Sequence, residues 1–108
     1  MLGKKVKVVM DRPLGSKHPN CELVYPINYG YIPNTVSGDG EEIDAYIIGE
    51  DEPLEIYEGY VVALVHRKND NEDKLVVCKN FNMYSEDQIK KLTEFQEKFF
   101  ESQIIMYR

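Results

Sequence analysis

A chain of 108 residues with 43% hydrophobic and 30% charged residues has the size and composition of one soluble globular domain, spanning 1–108. A net charge of −6 offers no basic face to a phosphate backbone, which excludes a general nucleic-acid binder but not a local basic pocket. No apolar run approaches the ~20 residues of a membrane helix, and MLGKKVKVVMDRP reads as too short and too interrupted for a signal peptide. Cys21 and Cys78 lack CxxC spacing, and two isolated thiols fit a reduced, cytoplasmic protein.

Residues 4–10 alternate, with Val6, Val8 and Met10 on one side, which predicts a strand. Residues 11–16, DRPLGS, read as a turn, and Lys17, His18, Pro19 and Asn20 continue the loop. Residues 22–25 read as a short extended stretch. Residues 26–33 are excluded from a helix, because Pro26 and Pro33 push the residues before them into extended geometry and Gly30 adds freedom. Residues 43–48 predict a buried strand, followed by an acidic loop at 50–53. Residues 60–66, YVVALVH, are β-branched and aromatic, and 74–78, KLVVC, form the returning strand of a hairpin across the polar connection 67–73. One helix is predicted late in the chain. Ser85 and Gln88 fit a capping box, and Ile89, Leu92, Phe95 and Phe99 recur at helical spacing as a stripe to dock on the sheet. Residues 104–106 make a last strand or a packed tail. Four or five strands and one helix predict an α+β fold, mainly antiparallel β: a small barrel-like sheet with one C-terminal helix packed against it.

Four groups of residues could carry chemistry. Asp39 and Glu41 sit two apart on a glycine-broken turn, with Asp44 in the strand behind. Such oxygen ligands suit a hard divalent cation, and Mg²⁺ keeps open positions for water and phosphate oxygens. Spacing alone leaves equal room for a solvated acidic turn with Asp44 pointing outwards; a carboxylate facing the core needs compensation. Asp70, Glu72 and Asp73 form a second acidic set before Lys74, although a hairpin tip rich in Asn and Asp reads first as a turn. Neither acidic stretch has the glycine and glutamate spacing of an EF-hand. Arg12, Lys17 and His18 could form a phosphate-binding corner, Arg as a planar fork and Lys as a point charge. Tyr25, Tyr29 and Tyr31, among eight tyrosines and no tryptophan, cluster beside the acidic turn. Their phenols could donate to phosphate or carboxylate oxygens, or simply rim an aromatic core.

From Tyr25 to Asp44 the chain resembles the family I soluble inorganic pyrophosphatases. That family carries Tyr-Pro-x-Asn-Tyr-Gly, met by Tyr25, Pro26, Asn28, Tyr29 and Gly30, and then Ile-x-x-Thr, met by Ile32 and Thr35. Its Asp-Gly-Asp-Pro-apolar-Asp signature falls on Asp39, Gly40, Glu41, Glu42, Ile43 and Asp44. The resemblance implies an OB-like barrel and Mg²⁺-dependent attack of water on a phosphoanhydride. It makes Asp39 and Asp44 metal ligands, with Asp70, Glu72 and Asp73 as further carboxylates. It places Glu41 where the family has the Asp that activates water, Tyr29 beside that group, and Tyr25 next to the pocket. Lys17 falls near a phosphate-binding arginine of the family and Lys74 on a family lysine. The family is typically oligomeric, so a homo-oligomer is implied as well.

The departures bear on activity. Glu41 is one methylene longer than Asp, Glu42 replaces Pro, and Val9 stands where a glutamate is expected two residues after Lys7. Gln103-Ile104 replace a Tyr-Lys pair, and the chain is shorter than a standard member. Arg12 and Asp11, with Lys17 and His18, offer a substitute clamp. The expected function is Mg²⁺-dependent hydrolysis of a phosphoanhydride, pyrophosphate first among them, with Glu41 as base and Arg12, Lys17, Tyr25 and Lys74 on the phosphates. The alternative is a catalytically degenerate module that binds phosphate or a nucleotide. Neither a nucleic acid nor a membrane is an expected partner.

Overall fold

The computed structural model describes residues 1–36, 40–68 and 73–108. In chain order it contains β1 (Lys5–Arg12), β2 (Asn28–Ile32), β3 (Ile43–Ile47), β4 (Ile56–Arg67), β5 (Asp73–Cys78), α1 (Glu86–Glu97) and β6 (Ser102–Met106). The strands form one sheet in the order β1-β2-β3-β5-β4-β6, and a further β1–β4 pairing closes the first five into an OB-like barrel. Every pairing is antiparallel except β3–β5. The length of β4 makes closure possible. One edge serves two strands, residues 56–60 pairing with β1 and 63–67 with β6, while β5 takes the other edge.

Period-two alternation divides the apolar residues between two clusters. Val6, Val8, Ile32, Ala45, Ile47, Val61, Leu75 and Val77 come from all five barrel strands and fill its interior. Tyr25, Tyr29, Tyr46, Ile48, Val65, Val76 and Cys78 pack on the other face against Ile89 of the helix. β3 therefore contributes to both clusters, which explains its continuous apolar run.

Several boundaries differ from expectation. The described residues form six strands rather than four or five. Residues 11–12 belong to β1, not to a turn, because β2 offers them a partner past a register shift between Met10 and Arg12. β4 begins at Ile56, and Asp73 opens β5. Residues 22–25 contribute an isolated Lys17–Val24 bridge. The helix starts as expected: Ser85 accepts from the Gln88 amide, and the Gln88 side chain accepts from the Ser85 amide. It stops earlier than the apolar stripe does. Ile89 is buried and Leu92 and Phe95 pack against the core, whereas Phe99 lies beyond the last turn and is 69% exposed. No described helix is long and apolar enough to cross a membrane.

Two motif residues have structural duties. A Cβ at Gly30 would lie 2.1 Å from the Val9 carbonyl oxygen, so only glycine permits this approach of β2 to β1. Asn28 is fully buried. Its Oδ1 accepts from the Leu14 and Leu54 amides, and its Nδ2 donates to the Glu52 carbonyl. It thereby ties two loops to β2. Asn28→Ala strands these groups and is expected to lower unfolding free energy by about 3 kcal/mol, read from the urea midpoint.

Candidate active site

The polar ends of several strands meet on the helix-side face. On that face Asp44 follows Tyr46 and Ile48 at a spacing of two, Lys74 follows Val76 and Cys78, and Arg67 follows Val65. The parallel β3–β5 register sets Ala45 beside Leu75, and so brings Asp44 level with Lys74. The antiparallel β4–β5 register sets Lys74 opposite Val65. The bulge in β1 places Arg12 opposite Tyr29. Residues directly opposite in an antiparallel pair share a face. Without the extra residue Asp11, Arg12 would follow Val6, Val8 and Met10 into the barrel; bulges commonly re-aim a side chain in this way.

These groups line a cleft of about 470 Å³ with Asp11, His18, Cys21, Tyr25, Gln96, Phe99 and Phe100. Lys74 is buried and its Nζ lies 2.7 Å from Asp44 Oδ2. The Tyr29 hydroxyl donates to the same oxygen at 2.9 Å. These two partners compensate the carboxylate that the sequence placed in an apolar strand. Arg67 is also buried and donates to Glu97 through Nε at 3.0 Å and Nη2 at 2.7 Å. Burial works against its charge, but the hydrogen bonds and the charge of Glu97 outweigh it and hold the guanidinium pKa above its ordinary value. The Tyr46 hydroxyl donates to Glu97 at 2.6 Å and accepts from Gln96 Nε2 at 2.8 Å, while Tyr25 donates to Gln96 Oε1 at 2.8 Å. Arg12 lies against Tyr25, and its Nε is buried with no hydrogen-bond partner among the described residues. An unsatisfied buried donor is costly, and an anion's oxygen satisfies it.

The electrostatics follow from burial. Tyr29 and Tyr46 have pKa values pushed far above the ordinary 10, first by burial and then by the charges of Asp44 and Glu97 respectively. Burial also raises Tyr25, with Arg12 pulling the other way. Asp11 is raised from 3.8, first by loss of water around it, against the pull of Arg12 and with the repulsion of Asp44 and Glu42. Asp11 and Asp44 line the same cleft, with Arg12 and Lys74 as their cationic neighbours, and hard carboxylate oxygens of this kind fit a divalent ion. Among the described residues, no three His, Cys, Asp or Glu side chains already converge as a metal site.

The residues singled out from the sequence divide as follows. Arg12, Tyr25, Tyr29, Asp44 and Lys74 come together in the cleft. Glu41 is exposed in the bend just before β3. Lys17 is exposed, held in its bridge with Val24, and does not line the cleft. Asp73 is one residue out of phase with Lys74, so it projects from the opposite face and meets His66 Nδ1 at 2.7 Å. Asp39, Asp70 and Glu72 lie outside the described residues. Sequence reasoning missed Arg67, Gln96 and Glu97. One signal was available: Ile89, Thr93 and Glu97 recur every four residues and all are buried, which puts a carboxylate on the docking face of the helix.

The family model for inorganic pyrophosphatase matches residues 4–107. The chain belongs to the inorganic pyrophosphatase family. It is 38% identical over 94 residues to the inorganic pyrophosphatase of Xylella fastidiosa (strain 9a5c), covering 74% of this chain and 51% of that protein. It is 47% identical over 61 residues to the inorganic pyrophosphatase of Xanthomonas campestris, covering 53% and 33%. The chain thus spans about half the length of the Xylella relative and a third of the Xanthomonas one. The barrel superposes on the inorganic pyrophosphatase of Ehrlichia chaffeensis with a TM-score of 0.76 at 14% identity, over 99% of this chain and 88% of that one. For the Thermus thermophilus enzyme the TM-score is 0.64 at 20% identity, over 96% and 82%. At these identities the superpositions speak for the shared fold.

The buried phenols set an alkaline limit. In the unfolded chain tyrosines ionise near pH 10, whereas Tyr29 and Tyr46 in the fold stay protonated well above it. Their contribution to stability is complete below about pH 10 and falls as the pH rises towards their folded values. Tyrosinate absorbance followed with circular dichroism is expected to show these two ionising only as the fold is lost. A single smooth titration of all eight tyrosines near pH 10 with the fold intact would contradict the buried assignment.

Proposed function

We propose that this chain is a divalent-metal-dependent hydrolase of phosphoanhydrides whose substrate is inorganic pyrophosphate and whose metal is Mg²⁺. The observation that carries this reading is the meeting of Arg12 and Lys74 with Asp11 and Asp44 in one cleft of a pyrophosphatase-family barrel. Cations hold phosphate oxygens, and hard carboxylates hold the ion that such substrates require. Asp44 and Asp11 would hold the metal, together with Asp39 and with Asp70 and Glu72. When bound, the metal would acidify water and neutralise phosphate charge.

The chain's own residues supply the remaining functions. Arg12 and Lys74 draw in the phosphate oxygens, and the unsatisfied Nε of Arg12 gains its acceptor. The Tyr29 hydroxyl donates to Asp44 and so orients it, and burial together with the Asp44 charge holds that proton above the ordinary tyrosine range. Water attacks one phosphorus and its oxygen forms the new P–O bond; its proton would pass to Glu41, which stands in the exposed bend before β3 outside the lining of the cleft. The bridging P–O bond breaks and the second phosphate leaves, with Arg12 and Lys74 stabilising the charge it carries.

A phosphate-binding module without turnover is the second reading. The observation on its side is that Lys74 and Tyr29 already neutralise and orient Asp44. Phosphate release from pyrophosphate separates the two. The enzyme reading expects turnover with Mg²⁺ that EDTA abolishes, and a loss on the order of a hundredfold or more in kcat for Asp44→Asn with circular dichroism unchanged. Binding of phosphate without any Mg²⁺-dependent release would leave the module instead.

A further inference from the structure

The cleft has a second half that a bare diphosphate does not use. Beyond the last turn of α1 the Phe99 and Phe100 amides bond back to the Gln96 and Glu97 carbonyls at 3.3 and 2.9 Å, so both rings leave a closed turn. The Arg67 guanidinium sits 3.7 Å from the centre of the Phe100 ring, and Glu97 fixes that guanidinium in turn. Phe100 is therefore held in place while remaining 37% exposed, and Phe99 beside it is 69% exposed. Single exposed apolar residues need no explanation. Two adjacent phenyl rings that line one cleft with Arg12 and Lys74 do, because pyrophosphate has no apolar surface to set against them and, among the described residues, each ring has a cation on one side only, Arg67 at Phe100 and Lys98 at 5.3 Å from the centre of Phe99. A volume of about 470 Å³ is in the range that holds a drug-sized molecule. The lining narrows the kind of molecule: Arg12, Arg67 and Lys74 share this cleft with both rings, against Asp11 and Asp44, in a chain that carries −6 overall.

We propose that this cleft binds a nucleoside diphosphate, its base stacked on the Phe99–Phe100 lip and its phosphates on Arg12 and Lys74. The inference rests on the reading of the cleft as a phosphoanhydride site and names a larger substrate class for it. Stacking on an aromatic ring is tolerant of base identity, so the lip selects for a base without selecting which one.

Calorimetric titration of the full chain with Mg²⁺ and either ADP or pyrophosphate tests this. Both ligands are expected to bind. Phe99→Ala is expected to weaken ADP relative to pyrophosphate by about tenfold, and Phe99→Trp to restore it. Pyrophosphate binding without ADP binding overturns the lip and leaves the proposed function standing, as does an equal loss of both affinities in Phe99→Ala. Sedimentation of the same variants covers the case of a second copy of the chain: dissociation of a dimer by Phe99→Ala with unchanged ADP affinity also overturns the proposal. Failure of both ligands to bind removes the phosphoanhydride reading itself, and the inference with it.

Discussion

The Arg67–Glu97 pair joins the last residue of the central strand to the last residue of the helix, and both side chains are only 5% exposed. A buried charge left without its partner is strongly destabilising, on the order of 3–5 kcal/mol, so neither residue can be placed without the other. This constraint fixes where α1 ends against the sheet. Gln96 can then reach Tyr25 and Tyr46, and Phe100 can lie on the guanidinium. The wall of the cleft is thus a consequence of one ion pair, made directional by two parallel hydrogen bonds.

Aromatic rings fill the space between that wall and the floor. Tyr25 packs on Tyr29 at 5.5 Å and edge-on to Phe95 at 5.4 Å, and Tyr29 packs on Tyr46 at 5.0 Å. These contacts bury apolar area where the charged groups meet, while the phenol oxygens supply hydrogen bonds that an all-phenylalanine packing would lack. The Tyr46 ring helps to shield Glu97 from water, which makes its charge-assisted bonds stronger and a lost partner costlier. The high proportion of tyrosine in the sequence finds its use here: it is an apolar filling that can still hydrogen-bond.

The parts of the fold legible in the sequence were those governed by short-range rules. Alternation gave the strand of Val6 and Val8, β-branching gave the pair around Val62 and Val76, and Ser85 with Gln88 gave the helix start. The family motif drew attention to Tyr25, Tyr29 and Asp44, and the cleft contains all three. Long-range facts were not legible. The double use of one β4 edge depends on where β6 returns. The parallel β3–β5 register depends on barrel closure, and it alone brings Asp44 level with Lys74. Arg67 read as the first residue of a polar connection because its partner lies thirty positions away in a helix. Asp73 and Lys74 read as one charged patch, but the pleat sends them to opposite faces.

The departures from the family pattern take on a physical meaning in this frame. The sequence lacks a late Tyr-Lys pair, and that segment here is Gln103-Ile104 on β6, paired with Val65 and His66. Cations at the cleft come instead from the sheet. Arg12 arrives through a bulge, Lys74 through a parallel register, and Arg67 through the end of β4. All three are backbone-determined placements on strands, which hold a side chain more tightly than a loop does. Placement on strands trades reach for rigidity. Strand-borne cations and two phenylalanines from the turn after α1 thus line one cleft, and the placement of the cations follows from the barrel's register rather than from any single substitution.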